Sequence, residues 1–191
     1  MASLILASTS RYRGELLSRL RLPFETVAPG VDETALPGES PAATSERLAL
    51  AKARAVAAAR PDAVVLGSDQ VADLHGTALG KPGGHDAAFA QLRLMSGRDV
   101  VFHTSVAIVA RGLAAIERAE VRVRFRELDD ATIQAYLHAD QPYDCAGSAK
   151  VESLGIALLE AVESDDPTAL IGLPLIRTCR LLRRAGLEPL A

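Results

Sequence analysis

The stretch Leu4–Leu17, LILASTSRYRGELL, sets the reading of the whole chain. Leu4 to Ala7 has the length of a buried strand and runs directly into Ser8-Thr9-Ser10-Arg11-Tyr12-Arg13. From Ser10 the spacing turns helical, with Tyr12, Leu16, Leu17 and Leu20 on one face and Pro23 as the stop. A strand delivering the chain to a helix start is the building unit of α/β sheets, and ligands gather beyond the carboxyl ends of such strands. Free N–H groups at the helix start, the hydroxyls and Arg13 would suit phosphate oxygens. Serine and threonine also cap helices, and arginine is usually solvated, so the stretch alone leaves both readings open.

The rest of the chain extends this pattern. Ser40 has the character of an N-cap, with Pro41 at the first helical position of an alanine-rich helix reaching Arg60. Ala63–Gly67, AVVLG, reads as a second buried strand with Ser68-Asp69-Gln70 at its C-terminal end. Glycines and prolines from Gly76 to Gly84 mark a loop before a helix over Asp86–Met95. Val100–Ala110 and Glu120–Arg126 alternate apolar and polar, and the Arg111-Gly112 break predicts a long antiparallel hairpin. An aspartate-capped helix over Asp129–His138, a strand over Ile156–Val162 and a closing helix over Pro174–Arg184 complete the order. Interleaved helices and strands around a central hairpin predict one α/β domain, residues 1–191, built on a mixed, twisted sheet with flanking helices.

Composition narrows the function classes. The chain has 191 residues, enough to bury about 70% of the unfolded surface in one domain. Twenty-one basic residues against 24 acidic ones give a net charge of −3, which argues against a protein that coats nucleic acid. No run of about 18 apolar residues is present, so no membrane span is expected. The short apolar run ahead of Arg11 and Arg13 is unlike a secretory leader. Cys145 and Cys179 are far apart and lack a CxxC spacing, so free thiols in a cytoplasmic setting are expected. His75, His85, His103 and His138 lack zinc-ligand spacing and read as surface or turn residues.

Several residues are candidates for chemistry. An aspartate directly after an apolar run is expensive to bury unpaired; Asp69 either caps a turn or serves a metal or a water. Asp32 and Glu33, in a proline-bordered loop, offer a second carboxylate. Lysine occurs only at positions 52, 81 and 150, which singles out Lys52 in its helix and Lys81 in Gly80-Lys81-Pro82. No GxxxxGK[ST] is present, so this is not a P-loop. Tyr143–Glu152 is a small, polar, glycine-containing segment suited to packing close to a ligand.

Taken together, LILASTSRYRGELL, VDET (Val31–Thr34), GSDQV (Gly67–Val71), GKP (Gly80–Pro82), SGRDVVFHT (Ser96–Thr104), CAGSAKVES (Cys145–Ser153) and DDPTALIGLPL (Asp165–Leu175) resemble, in order, the Maf family of nucleotide pyrophosphatases. The resemblance runs from Leu4 almost to the C-terminus and implies a Maf/ITPase-like fold. Tyr12, GSDQ and CAGSxKxE resemble the branch acting on 7-methyl-GTP, whereas the sister branch takes dTTP and UTP. Relatives usually have proline at the position of Arg11 and arginine at that of Gly14. The resemblance implies cleavage between the α and β phosphates with a divalent cation, magnesium or manganese. It makes Asp69 the proton acceptor, places Ser8, Arg13, Lys52 and Lys81 on phosphates, and puts Glu33 with Asp69 near the metal.

Base choice follows from chemistry at matched positions. A guanine methylated at N7 is cationic and stacks on an electron-rich ring, a role open to Tyr12. Glu152 offers acceptors to guanine's N1–H and N2–H₂ edge, and Gln70 can donate or accept, for example to O6. Two alternatives stand beside this reading: a dTTP/UTP or other non-canonical nucleotide pyrophosphatase, and a non-catalytic nucleotide-binding regulator of cell division. A small-molecule nucleotide is the expected partner, with neither nucleic acid polymer nor membrane, and the resemblance is compatible with a homodimer.

Overall fold

A computed structural model describes residues 3–190. Strand β1 (Leu4–Ala7) is fully buried and pairs in parallel with β2 (Phe24–Val27) on one side and β3 (Val64–Leu74) on the other. Beyond β3 the sheet turns antiparallel through β5 (Asp99–Ala110), β6 (Leu113–Phe125) and β7 (Leu159–Glu163). The strand order is β2-β1-β3-β5-β6-β7, and the short β4 (Thr77–Leu79) pairs with β3. This is the mixed α/β sheet that the sequence pattern predicts, including the β5–β6 hairpin closed by Arg111-Gly112. Gly112 supplies the positive φ of 74° at that turn.

Strand alternation assigns the layers. Ile5, Ala7 and Val65 face helix α2 (Pro41–Ala59), packing on Ala49, Ala53 and Val56. Leu4, Leu6 and Leu66 face the other way, onto Leu16 and Leu17 of α1 (Arg11–Ser18) and Leu181 and Leu182 of α5 (Leu175–Arg184). A third cluster around Phe102, Val121, Val123 and Phe125 is covered by α3 (His85–Met95) and α4 (Asp130–Asp140). The capping expectations hold: Ser40 accepts from the Ala43 amide, with Pro41 opening α2, and Asp129 accepts from the Thr132 amide.

Four features differ from the sequence expectation. Helix α1 ends at Ser18, well before Pro23, because Arg21 adopts a left-handed φ of 57° and turns the chain into β2. Strand β6 begins at Leu113, where no alternation announced it, because β5 pairs with it along its length. Residues Leu154–Leu158 form a 3₁₀ turn, so β7 starts later than expected. His103 is buried within β5, between Asp73 at 3.2 Å and Glu120 at 3.5 Å, rather than lying at the surface or in a turn.

Candidate active site

The most consequential difference lies in β3. Ser68, Asp69 and Gln70 lie inside the strand, which runs on to Leu74 instead of ending at Gly67. β1 pairs with β3 only up to Gly67, and β4 pairs with it only from Ala72. Between those partners one edge of β3 is uncovered, and that interval carries Ser68-Asp69-Gln70-Val71. The site therefore sits at a break in the sheet, just past the carboxyl end of β1, where α/β sheets hold their ligands.

The period of two along β3 sends successive side chains to opposite faces. Gly67 and Asp69 face α2. A Cβ on Gly67 would collide with the Ala49 carbonyl oxygen and stand 2.6 Å from the Ala53 nitrogen, so glycine lets α2 lie directly on the strand. That close approach brings Lys52 to Asp69: Lys52 Nζ donates to Asp69 Oδ1 at 2.7 Å and lies 2.6 Å from Glu33 Oε1. Lys52 is 3% exposed and Asp69 6%, whereas the Glu33 side chain is about half open at 52%.

Ser68 and Gln70 face the segment before α5. The Ser68 hydroxyl lies 2.8 Å from the Ser105 carbonyl and 3.0 Å from that of Gly172. Gln70 Nε2 lies 2.9–3.0 Å from Thr104 Oγ1, Ala169 O and Leu170 O, which together take up both of its hydrogens. Its amide nitrogen is thus committed to the protein, so Gln70 cannot donate to O6 of a base; only Oε1 remains for a ligand. Gly172 O also accepts from Arg13 Nε at 2.9 Å, which aims that guanidinium. The DDPTALIG stretch, conspicuous in sequence but without an assigned role there, acts as the brace for Arg13 and Gln70.

These elements surround a cavity of about 570 Å³. Ser8, Arg13, Lys52, Lys81 and Glu33 line it, as do Tyr12 and Gln70. Asp69 sits immediately beneath, joined to the cavity through Lys52. Ser8 Oγ accepts from the Ser10 amide at 3.0 Å, and Ser10 caps α1. Glu152 is exposed and lies outside the lining. Residues the sequence did not individually propose for the site also line the cavity: Asp144, Cys145 and Ala146 on one side, Ile171 and Gly172 on another. Tyr12 Oη donates to Asp144 Oδ2 at 3.3 Å, and Lys150 Nζ is 3.5 Å from Asp144 Oδ1. Arg11 stacks its guanidinium over the Tyr12 ring, 4.8 Å from the centroid, and donates to Tyr12 Oη.

Electrostatics separate the two carboxylates. Burial pushes Asp69 above the ordinary aspartate range, against the pull of Lys52 and Arg13. Burial also opposes the charge on Glu33, but Lys52, Lys81 and Arg13 outweigh it and hold the carboxyl low. Burial lowers Arg13, with Asp69 and Glu33 opposing. Burial pushes the Cys145 thiol up to about 12, which leaves it protonated at neutral pH and unsuited to nucleophilic attack.

The loop carrying Glu33 is pinned by a separate ion pair. Arg47 Nε and Nη2 lie 2.6 and 2.7 Å from the Glu39 carboxylate, and Arg47 Nη2 also donates to Thr34 O. The bond to Arg47 lowers the Glu39 carboxyl from 4.5 to about 2. A depressed carboxyl contributes stability that is fully present above 4.5 and lost as pH falls toward 2. Glu39→Gln is therefore expected to flatten the dependence of Tm on pH across that window relative to the parent protein. Parallel thermal melts at a series of acid pH values check this; two parallel Tm–pH curves would remove the pair from acid stability.

A 7-methyl-GTP pyrophosphatase of Albidiferax ferrireducens is 61% identical over 98% of this chain and 95% of its own length. Another from a Polaromonas species is 64% identical over 96% of this chain and 84% of its own. One from Bordetella pertussis is 58% identical over 98% and 94%. Among solved structures, the Staphylococcus aureus Ham1 protein aligns with 64% of this chain and 71% of its own, at 15% identity and a TM-score of 0.47. The profile of the family described as Maf-like protein matches residues 3–185, and with relatives this similar over nearly the whole length, the chain belongs to the Maf-like protein family.

Proposed function

We propose that this protein is a nucleoside triphosphate pyrophosphatase that hydrolyses 7-methyl-GTP to the monophosphate and pyrophosphate. The observation that carries this reading is the buried Asp69, held by Lys52 beneath a cavity lined by Ser8, Arg13, Lys52 and Lys81. A triphosphate brings about four negative charges, and phosphoryl transfer depends mainly on positioning the phosphates and neutralising that charge. Relatives named for this activity support the same conclusion. A regulator that only binds nucleotide would have no use for a buried water-activating carboxylate.

In this mechanism Ser8, Arg13, Lys52 and Lys81 hold the triphosphate. In the nucleotide-free site Lys52 holds Asp69 Oδ1, and Oδ2 is the oxygen left to take a proton from the attacking water. The water oxygen bonds to the α-phosphorus, and the bridging oxygen leaves with pyrophosphate. Among the described residues no group of three or more His, Cys, Asp and Glu side chains is placed to hold a metal. Glu33 and Asp69 are nevertheless the hard-oxygen pair that suits magnesium or manganese, ions commonly held by one or two carboxylates together with substrate phosphates. When bound, such an ion supplies charge neutralisation on the phosphates.

For base choice, Tyr12 presents its ring to a cationic purine, and Gln70 Oε1 accepts from the guanine donor edge. Crowding by surrounding protein raises Glu152, which Lys150 opposes and Asp140 and Asp144 reinforce. Glu152 lies outside the cavity lining, so it acts on base choice through longer-range charge rather than by direct pairing with the guanine edge. The test is pyrophosphate release over a panel of 7-methyl-GTP, GTP, dTTP and UTP, run on the parent protein and on Glu152→Gln. The parent is expected to prefer 7-methyl-GTP, and the variant to lose several-fold of that preference, about 1 kcal/mol of discrimination. A parent preference for dTTP and UTP would move the protein to the other specificity, and unchanged selectivity in the variant would clear Glu152 of the role.

A further inference from the structure

Lys52 is a cation buried between two carboxylates, in contact with both, at the floor of a cavity built for an anion. Charges that act on one another here are Asp69 and Glu33 on one side and Lys52, Arg13 and Lys81 on the other. With the cavity-lining Arg11 and Asp144 included, four positive charges face three negative ones, so the nucleotide-free site carries a net positive charge. A divalent cation arriving alone meets that excess, and meets Glu33 Oε1 and Asp69 Oδ1 already engaged by an ammonium at 2.6 and 2.7 Å. A triphosphate reverses the balance. Its oxygens attract the same ammonium, and lysine's flexible four-carbon stem allows Nζ to turn toward them, as a rigid guanidinium fork would not.

We infer that Lys52 is the resident counter-cation of the Glu33–Asp69 pair and blocks its binding of a divalent metal until the triphosphate arrives, so that metal and nucleotide enter together. This rests on the assignment of the metal to Glu33 and Asp69. Lys52 is accordingly a positioning residue for the metal as well as a phosphate contact. Its burial has a purpose under this account: an exposed lysine would exchange its partners with water and leave the carboxylates open to metal at all times.

The experiment titrates nucleotide-free protein with Mn²⁺ and follows the electron paramagnetic resonance signal of the free ion. Parent, Lys52→Met and Lys52→Gln are compared, each lysine variant also in an Asp69→Asn background, with circular dichroism on the same samples to verify folding. The parent is expected to bind Mn²⁺ no more tightly than about millimolar, and the lysine variants at least about tenfold more tightly. Adding Asp69→Asn should abolish the gain. Micromolar binding by the parent, or folded lysine variants that bind no better than the parent, overturns the role of Lys52. A gain that survives Asp69→Asn overturns instead the placing of the metal on this carboxylate pair. If neither lysine variant folds, the parent titration decides.

Discussion

Asp69→Asn is expected to lower turnover of 7-methyl-GTP by at least about 100-fold while leaving the fold in place. The substitution keeps the shape of the side chain and an oxygen for Lys52, but an amide cannot take the proton from water. Lys52 retains Glu33 at 2.6 Å, so no buried cation is left without a partner. The loss should fall on kcat, because Ser8, Arg13 and Lys81 still hold the phosphates. The check is steady-state kinetics beside a thermal melt of the same preparation. A variant with near-normal kcat would remove Asp69 from the mechanism.

The second large effect is on stability, and it arises from a residue with no side chain. Gly67→Ala places a methyl group against the Ala49 carbonyl and the Ala53 amide, which are backbone atoms of a helix and cannot rotate away. Relief requires α2 to lift from β3. Overpacking of this kind costs about 1–3 kcal/mol, and more where backbone must move. We expect the upper end, about 3 kcal/mol, which in a chain of this length lowers Tm by about 6–12 °C. The shift also carries Lys52 away from Asp69, so activity should fall even at temperatures where the variant is folded. A thermal melt together with kinetics well below Tm measures both effects. A Tm within a degree or two of the parent's would mean that strand and helix are less tightly apposed than the structure shows.

The same two residues mark how far the sequence could be read. Asp69 stood out because an acid after an apolar run needs a reason, and Glu33, Lys52, Lys81, Ser8 and Arg13 were drawn to it by resemblance. The structure places all of them at one cavity or directly beneath it. The continuation of β3 through Ser68, Asp69 and Gln70 was not legible. Those polar residues are tolerated in a strand only because distant segments satisfy them: Ser105, Gly172, Lys52, Thr104, Ala169 and Leu170. Gly67 gave no signal for a related reason, since the helix that needs its missing Cβ lies elsewhere in the sequence. Strand β2 carries Glu25 and Thr26 and, among the described residues, pairs only with β1, so it lacks both the apolar run and the hairpin turn that announce a strand.

Arg11 illustrates the opposite case. The sequence marked it as a departure from the family pattern without a role, and the structure gives it a contact, stacked on the Tyr12 ring and bonded to its hydroxyl. With Asp144 on the same hydroxyl, the Tyr12 ring is fixed from two sides.

The central claim is that the site breaks the α–β phosphoanhydride bond with water. The direct measurement is ³¹P NMR of 7-methyl-GTP turnover with magnesium in ¹⁸O-labelled water. The expected products are 7-methyl-GMP and pyrophosphate in equal amounts, with the label in the monophosphate. Release of orthophosphate with a nucleoside diphosphate, or label in pyrophosphate, would contradict it.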